Sequence, residues 1–124
     1  MHTTVSSYRV LVTGSRTWQA PERICAVLDE LLAGHADLTV VHGACKTGAD
    51  AVADRWAVRN WVSVERHPAE WRRHGRGAGY RRNAEMVAAG AAEAVAFIRD
   101  GSAGATHCAD LAEKAGIPVR RWTE

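Results

Sequence analysis

The chain has 124 residues, 47% hydrophobic and 24% charged, with a formal net charge of +2. This composition excludes a disordered segment, and the length suits one domain that buries roughly two thirds of its unfolded surface without a metal or disulfide staple. The longest apolar stretch, Met86 to Ile98, is too short for a membrane span and contains Glu93. The first ten residues, MHTTVSSYRV, lack the blocks of a signal peptide, so a cytoplasmic protein is expected, with Cys25, Cys45 and Cys108 as reduced thiols.

In chain order, Val10-Leu11-Val12 reads as a short buried strand closed by Thr13-Gly14. Pro21 to Ala33 reads as a helix, with proline in its first turn and Ile24, Val27, Leu28, Leu31 and Leu32 at helical spacing. Leu38 to Val41 is a second strand, closed by His42-Gly43. Ala49 to Asn60 is a second helix, with Ala53, Trp56 and Ala57 on one side. Val62 to Glu65 alternates apolar and polar residues, as a strand with one wet face does. Ala78 to Ala89 has helical character weakened by Gly79. Ala94 to Ile98 is a continuous apolar run, Ala105 to Ala115 a helix ended by Gly116, and Val119 to Trp122 a last strand.

Five strands alternating with four helices predict a parallel sheet covered on both faces, a Rossmann-like three-layer α/β sandwich. Strands one, two and four are the most uniformly apolar and suit the centre. Strands three and five carry Ser63, Glu65, Arg120 and Arg121 and suit the edges. The order 3-2-1-4-5, with right-handed crossovers, meets these requirements.

Charge is unevenly placed. Of 16 basic residues only Lys46 and Lys114 are lysines, which leaves 14 arginines. Six of these lie between residues 66 and 82 against one acid, Glu70, for a local charge of +5. The remainder holds ten basic and 13 acidic residues, net −3. Arginine grips phosphate with two parallel hydrogen bonds, while a solvated arginine-rich loop is the plainer reading of the same segment.

In a sheet of this order ligands sit where strand order reverses, between strands one and four. The loops leaving those strands are TGSRTW (Thr13 to Trp18) and DGSAGATH (Asp100 to His107). Both are rich in small residues and lead into helices, where free N–H groups and the helix dipole favour an anion. The loop after strand two, HGACKTGAD (His42 to Asp50), has the glycine spacing of a P-loop at Gly43 and Gly48. Ala49-Asp50 stands where that motif requires Lys and Ser/Thr, so it is not a Walker loop. Asp50 either caps the second helix or faces a ribose hydroxyl. His42, Cys45, His107 and Cys108 lack the spacing of a zinc site, and Ser15 and Ser102 have no base in a nucleophile's arrangement, so no metal, cofactor or serine catalysis is expected. Trp18 and Trp71 lie on the ligand-side loops, where a tryptophan either stacks on a base or packs the loop down.

Four co-linear blocks carry a resemblance: RVLVTGSRTW (Arg9 to Trp18), VVHGACKTGADAVADRWA (Val40 to Ala57), HPAEWRRHGRGAGYRRNAEM (His67 to Met86) and DGSAGATH. Together they resemble the YspA-like, YpsA-related branch of the SLOG superfamily, whose many phage- and bacteria-encoded members stand beside the "lonely guy" phosphoribohydrolases and the Smf/DprA proteins. The resemblance implies a Rossmann-like domain whose glycine-rich loops bind a nucleotide or nucleotide-derived ligand, often in a homodimer. The enzymatic relatives carry a PGGxGTxxE loop and an upstream Met-x-x-Arg-Lys helix. Gly101 and Gly104 match two glycines of that loop, with Ser102 in place of another, and Arg81-Arg82 match the helix pair. Cys108 stands where the glutamate belongs, with Asp110 two residues on.

Three readings follow. In the first, a binding or sensing domain, Gly14, Ser15, Gly101, Ser102 and Gly104 hold phosphate through backbone N–H groups, with Gly43 and Thr106 on adjoining segments. Arg16, Arg81 and Arg82 neutralise the phosphate, and Asp50 or Asn83 bonds a ribose or base edge. In the second, a hydrolase cleaves an N-glycosidic bond in a nucleoside monophosphate or an NAD- or ADP-ribose-like ligand; the catalytic candidates are Arg81, Glu85 and Asp110, and the missing glutamate counts against it. In the third and weakest, the 66–82 segment binds nucleic acid.

Overall fold

The computed structural model describes residues 7–124. Five strands form one all-parallel sheet: β1 (Tyr8–Gly14), β2 (Leu38–His42), β3 (Ser63–Arg66), β4 (Glu93–Ile98) and β5 (Val119–Thr123). Their order is β3-β2-β1-β4-β5, as the polarity of the strands predicts. Helices α1 (Pro21–Gly34) and α2 (Gly48–Arg59) cover one face, and α4 (Ala78–Ala89) and α5 (Ala103–Lys114) the other. A four-residue helix, α3 (Trp71–His74), and a 3₁₀ turn (Gly75–Gly77) occupy the arginine-rich segment that the sequence leaves as a loop. Among the described residues no helix is long and apolar enough to cross a membrane.

The pleat of the central strands divides the core. Val10, Val12, Val40, Val95 and Phe97 face α1 and α2, where Ile24, Leu28, Ala53 and Trp56 complete one cluster. Leu11, Val41 and Ala94 face α4 and α5 with Met86, Cys108 and Ala112. Ala49, Ala53 and Ala57 are fully buried, so α2 lies close against the sheet. The Trp56 indole N–H donates to Asp29 Oδ1 at 2.8 Å, which meets the one polar need of an otherwise buried ring.

One strand boundary and one helix boundary differ from the sequence reading in ways that matter below. The β1–β4 ladder runs on until Gly14 stands opposite Phe97, so Thr13-Gly14 belongs to the strand rather than to the turn after it. Helix α5 begins at Ala103, so Gly104 lies in its first turn. Trp18 is core: it meets Phe97 edge-on at 5.4 Å, and its indole N–H bonds Ala20 O at 2.8 Å.

An ion pair clasps the β3 edge. Arg9, on β1, reaches across β2 and donates to both oxygens of Glu65 on β3, at 2.6 and 2.9 Å. His67 Nε2 donates to the same carboxylate at 2.6 Å, and Arg9 Nε ties the clasp to Gly90 O. The hydrogen bonds from Arg9 hold the Glu65 carboxyl at about 2, below its ordinary 4.5.

Because the folded pKa is depressed, the Glu65 contribution is complete above the unfolded pKa and is lost as pH falls from about 4.5 toward about 2. Glu65→Gln is expected to flatten the loss of stability over that window, read by urea denaturation at successive pH values. Gly14 is a packing constraint: an added Cβ would stand 2.3 Å from the Ala49 Cβ and 2.8 Å from Phe97 O. Gly14→Ala is therefore expected to cost roughly 1–3 kcal/mol in the same measurement.

Candidate functional site

A cleft of about 380 Å³ opens at the carboxyl edge of the sheet, where strand order reverses between β1 and β4. Thr13 to Thr17 form its base, Gly43, Cys45 and Asp50 one side, and Ser102, Gly104 and Ala105 the other. Trp71 and Arg76 close it from the arginine-rich segment, and Gly79, Tyr80, Arg82, Asn83 and Met86 project from one face of α4.

The base of the cleft is held rigidly. Ser15 N–H donates to Phe97 O at 2.8 Å, and Ser15 Oγ accepts from Arg99 N–H at the same distance. Ser15 O accepts from Trp18 N–H and from Ala49 N–H at the start of α2. Gly48 permits this approach: its φ is +72°, and a Cβ there would stand 2.2 Å from Ser15 O. The Ser15 bond corrects the expectation that Ser15 offers its backbone N–H to a phosphate, since that amide is already spent on Phe97 O.

The free amides belong to α5 instead. Thr106 N–H donates to Ser102 O, so the Thr106 amide is also spent. The N–H groups of Ala103, Gly104 and Ala105, ahead of it, find no acceptor among the described residues, and no side chain caps the helix. Three amides and the positive end of a 12-residue helix thus meet the cleft beside Gly104 and Ala105. Gly101 adopts φ +61° in the preceding turn and does not line the cleft.

Arg82 and Asn83 form a buried polar wall. Arg82 Nη1 donates to Gly43 O and, at 3.5 Å, to His67 O, while Nε donates to Asn83 Oδ1 at 2.9 Å. Asn83 Nδ2 donates to Gly104 O at 3.3 Å and to His107 Nδ1 at 3.2 Å. Both hydrogens of the Asn83 amide are committed to α5, which corrects its assignment to a ribose or base edge. Arg82 is only 9% exposed, yet Nη2 has no partner among the described residues and lies beside Gly79 at the cleft.

Asp50, 5% exposed, is the cleft's one carboxylate among the described residues. As the third residue of α2 it sits favourably against the helix dipole, and its Oδ2 accepts from Cys45 N–H at 3.2 Å. Burial pushes its pKa up, and that of the half-buried Cys45 thiol beside it. Nearby, Ala44 N–H donates to His42 Nδ1, so His42 Nε2 carries the proton and donates to Asp54 at 2.7 Å. Arg66, which donates to Asp54 at 2.6 Å, lowers the Asp54 pKa.

The rim is aromatic and cationic. Trp71 and Tyr80 are about half exposed, and the Arg16 guanidinium lies 5.8 Å from the Trp71 ring centroid. Tyr80 meets His107 edge-on at 4.5 Å. Neither Arg16 nor Arg76 forms an ion pair among the described residues, whereas Arg9, Arg66, Arg120 and Arg121 all do.

Nine of the expected binding residues therefore meet at one cleft: Gly14, Ser15, Arg16, Gly43, Asp50, Arg82, Asn83, Ser102 and Gly104. The three catalytic candidates lie elsewhere. Arg81 and Glu85 face a separate hollow of about 390 Å³ with Arg66, Arg73 and His67. Asp110 is exposed and accepts from Arg121 Nη2 at 2.9 Å. Cys108, where relatives place their glutamate, is buried with its thiol pushed up to about 11. The sequence reading omitted Arg76 and Tyr80; the helical spacing of Gly79, Asn83 and Met86 is the signal that marks the face of α4 beside them.

This is a Rossmann-like α/β domain with a preformed cleft at its topological switch point. Residues 8–74 match the YAcAr family, described as YspA, cpYpsA-related SLOG family. The chain is also 47% identical over 120 residues to the Gene 61 protein of Mycobacterium phage D29, spanning 90% of this chain and 93% of that protein. The protein belongs to the YspA, cpYpsA-related SLOG family. No solved structure matches it.

Replacing Arg82 strands the carbonyls of Gly43 and His67 and the Asn83 amide oxygen inside the wall. Arg82→Met is expected to lose at least about 2 kcal/mol, read as a lower urea midpoint with an unchanged slope.

Proposed function

We propose that the protein binds a nucleotide or nucleotide-derived phosphate ester in the cleft, as a binding or sensing domain. The observation that carries this reading is the group of three unbonded amides at the start of α5, opening on the cleft that the free edge of Arg82 also reaches. Such an arrangement stabilises a phosphate through fixed donors that need no reorganisation on binding. Arg16 and Arg76 add positive charge at the rim. The exposed rings of Trp71 and Tyr80 offer a flat apolar surface suited to a nucleobase. Membership of a SLOG family supports the same class of ligand.

A hydrolytic reading is favoured by one observation. Asp50 brings a buried carboxylate into the cleft, although the candidates Arg81, Glu85 and Asp110 all lie outside it. Release of free base from a nucleoside monophosphate, lost in Asp50→Asn, is the result that supports turnover.

Thermal-shift measurements with ribonucleoside mono- and diphosphates, NAD and ADP-ribose test the binding reading. At 100 times its dissociation constant a true ligand stabilises the fold by about 2.7 kcal/mol. An added Cβ at Gly104 meets nothing within 4 Å, so Gly104→Val is expected to fold normally while its side chain obstructs the amides. No shift with any of these compounds overturns the reading, and full affinity in a folded Gly104→Val variant removes the phosphate from α5.

A further inference from the structure

The end of α2 carries a side chain that its own fold does not use. Asn60 caps the helix, and the N–H groups of Trp61 and Val62 turn back to Val58 O and Ala57 O. This closure holds Trp61 at φ +58°, a left-handed conformation that glycine adopts freely and a bulky residue adopts under strain. No packing within the chain offsets that strain: the residue is 96% exposed, beside Val58 at 60%. A tryptophan held out in this way is the residue type on which protein interfaces most often centre.

Trp61 adjoins the open edge of the sheet, where β3 pairs with β2 alone among the described residues. His67 N–H donates to His42 O, and backbone groups alternate in direction along a strand. Ser63 and Glu65 therefore face β2, while Val64 and Arg66 turn their N–H and C=O groups outward. Charged side chains commonly guard such an edge. Here both are engaged within the chain, Arg66 by Asp54 and Glu65 by Arg9 and His67. None of these edge residues lines the cleft.

We propose that the β3 edge and Trp61 form an interface between two copies of this chain, joined antiparallel about a two-fold axis at Val64 into one continuous sheet. Such an axis stands perpendicular to the sheet and falls on a residue, so that matching faces stay together. On Val64, each copy's N–H donates to the partner's Val64 carbonyl, Glu65 stands opposite the partner's Ser63, and Trp61 comes near the partner's His67 and Pro68. An axis on Glu65 or Arg66 sets two carboxylates or two guanidinium groups against each other. One on Ser63 needs the Val62 N–H, which Ala57 O already holds. A four-residue edge is small against the roughly 800 Å² per partner of a standard interface, so the dimer is weak and concentration-dependent.

Sedimentation equilibrium on the full chain, from about 5 to 500 μM, reads the association. Wild type is expected to pass from monomer toward dimer and no further, because a two-fold contact closes on itself. Trp61→Gly is expected to weaken dimerisation by about tenfold or more. Its urea midpoint at the lowest concentration is expected to stay level or rise, since glycine fits the left-handed turn. Amide exchange followed by NMR on wild type locates the contact: protection of Val64 N–H is expected to grow with concentration, while Glu65 N–H, bonded to β2, is protected throughout. A chain that stays monomeric at the highest concentration, or assembles beyond a dimer, overturns the proposal. An undiminished dimer in Trp61→Gly overturns it too, as does a dimer that leaves Val64 exchange unchanged.

Discussion

One buried serine fixes the distance on which the cleft depends. Ser15 is bonded through its amide to Phe97, through its hydroxyl to Arg99 and through its carbonyl to Ala49. Those partners belong to β4, the loop after it and α2, so a single residue joins three elements that bound the hollow. The bonds to Phe97 and Arg99 are 2.8 Å long, and Ser15 is 2% exposed. These bonds hold apart the surfaces on either side of the hollow, and the packing of Gly14 against Ala49 and Phe97 enforces the same spacing sterically.

The opposite wall follows a similar logic with charge in place of packing. Burying a guanidinium is costly unless its donors are met. Arg82 meets most of that cost with the carbonyls of Gly43 and His67 and the Asn83 amide, keeping Nη2 for the cleft. Asn83 passes the constraint on to Gly104, in the first turn of α5. The orientation of the free amides is thus tied to the residue that supplies the neighbouring positive charge. Asp50, placed at the head of α2, gives the cleft a second and opposite polarity. A hollow with one cationic side, one anionic point and an aromatic rim is matched by a molecule with those features in complementary order.

The fold was largely legible because it rests on patterns local to each strand. Val10-Leu11-Val12 and Ala94 to Ile98 are apolar at every position, as strands covered on both faces are, whereas Glu65 and Arg121 place β3 and β5 at the edges. The location of the cleft followed from strand order and small-residue loops. The roles of individual loop residues did not. Whether the Ser15 amide is free depends on Phe97, 82 positions away, and no spacing within TGSRTW reveals it. Adjacent Arg81 and Arg82 look equivalent in sequence, but a helix turns by about 100° per residue, and only Arg82 reaches the cleft. Helix α3 spans four residues, too few to show a period. Asp110 looked like a substitute for a missing glutamate, but its position on α5 points it to Arg121 on β5.

The bonds made by Ser15 also set a timetable. Its hydroxyl partner, Arg99, lies 84 residues later in the chain, and the amides of α5 come later still. During synthesis β1, β2 and their helices emerge well before β4, so the first half of the protein exists for a time with no receptacle at all. Any molecule that fits the cleft would therefore meet a formed receptacle only after nearly all of the chain has been made.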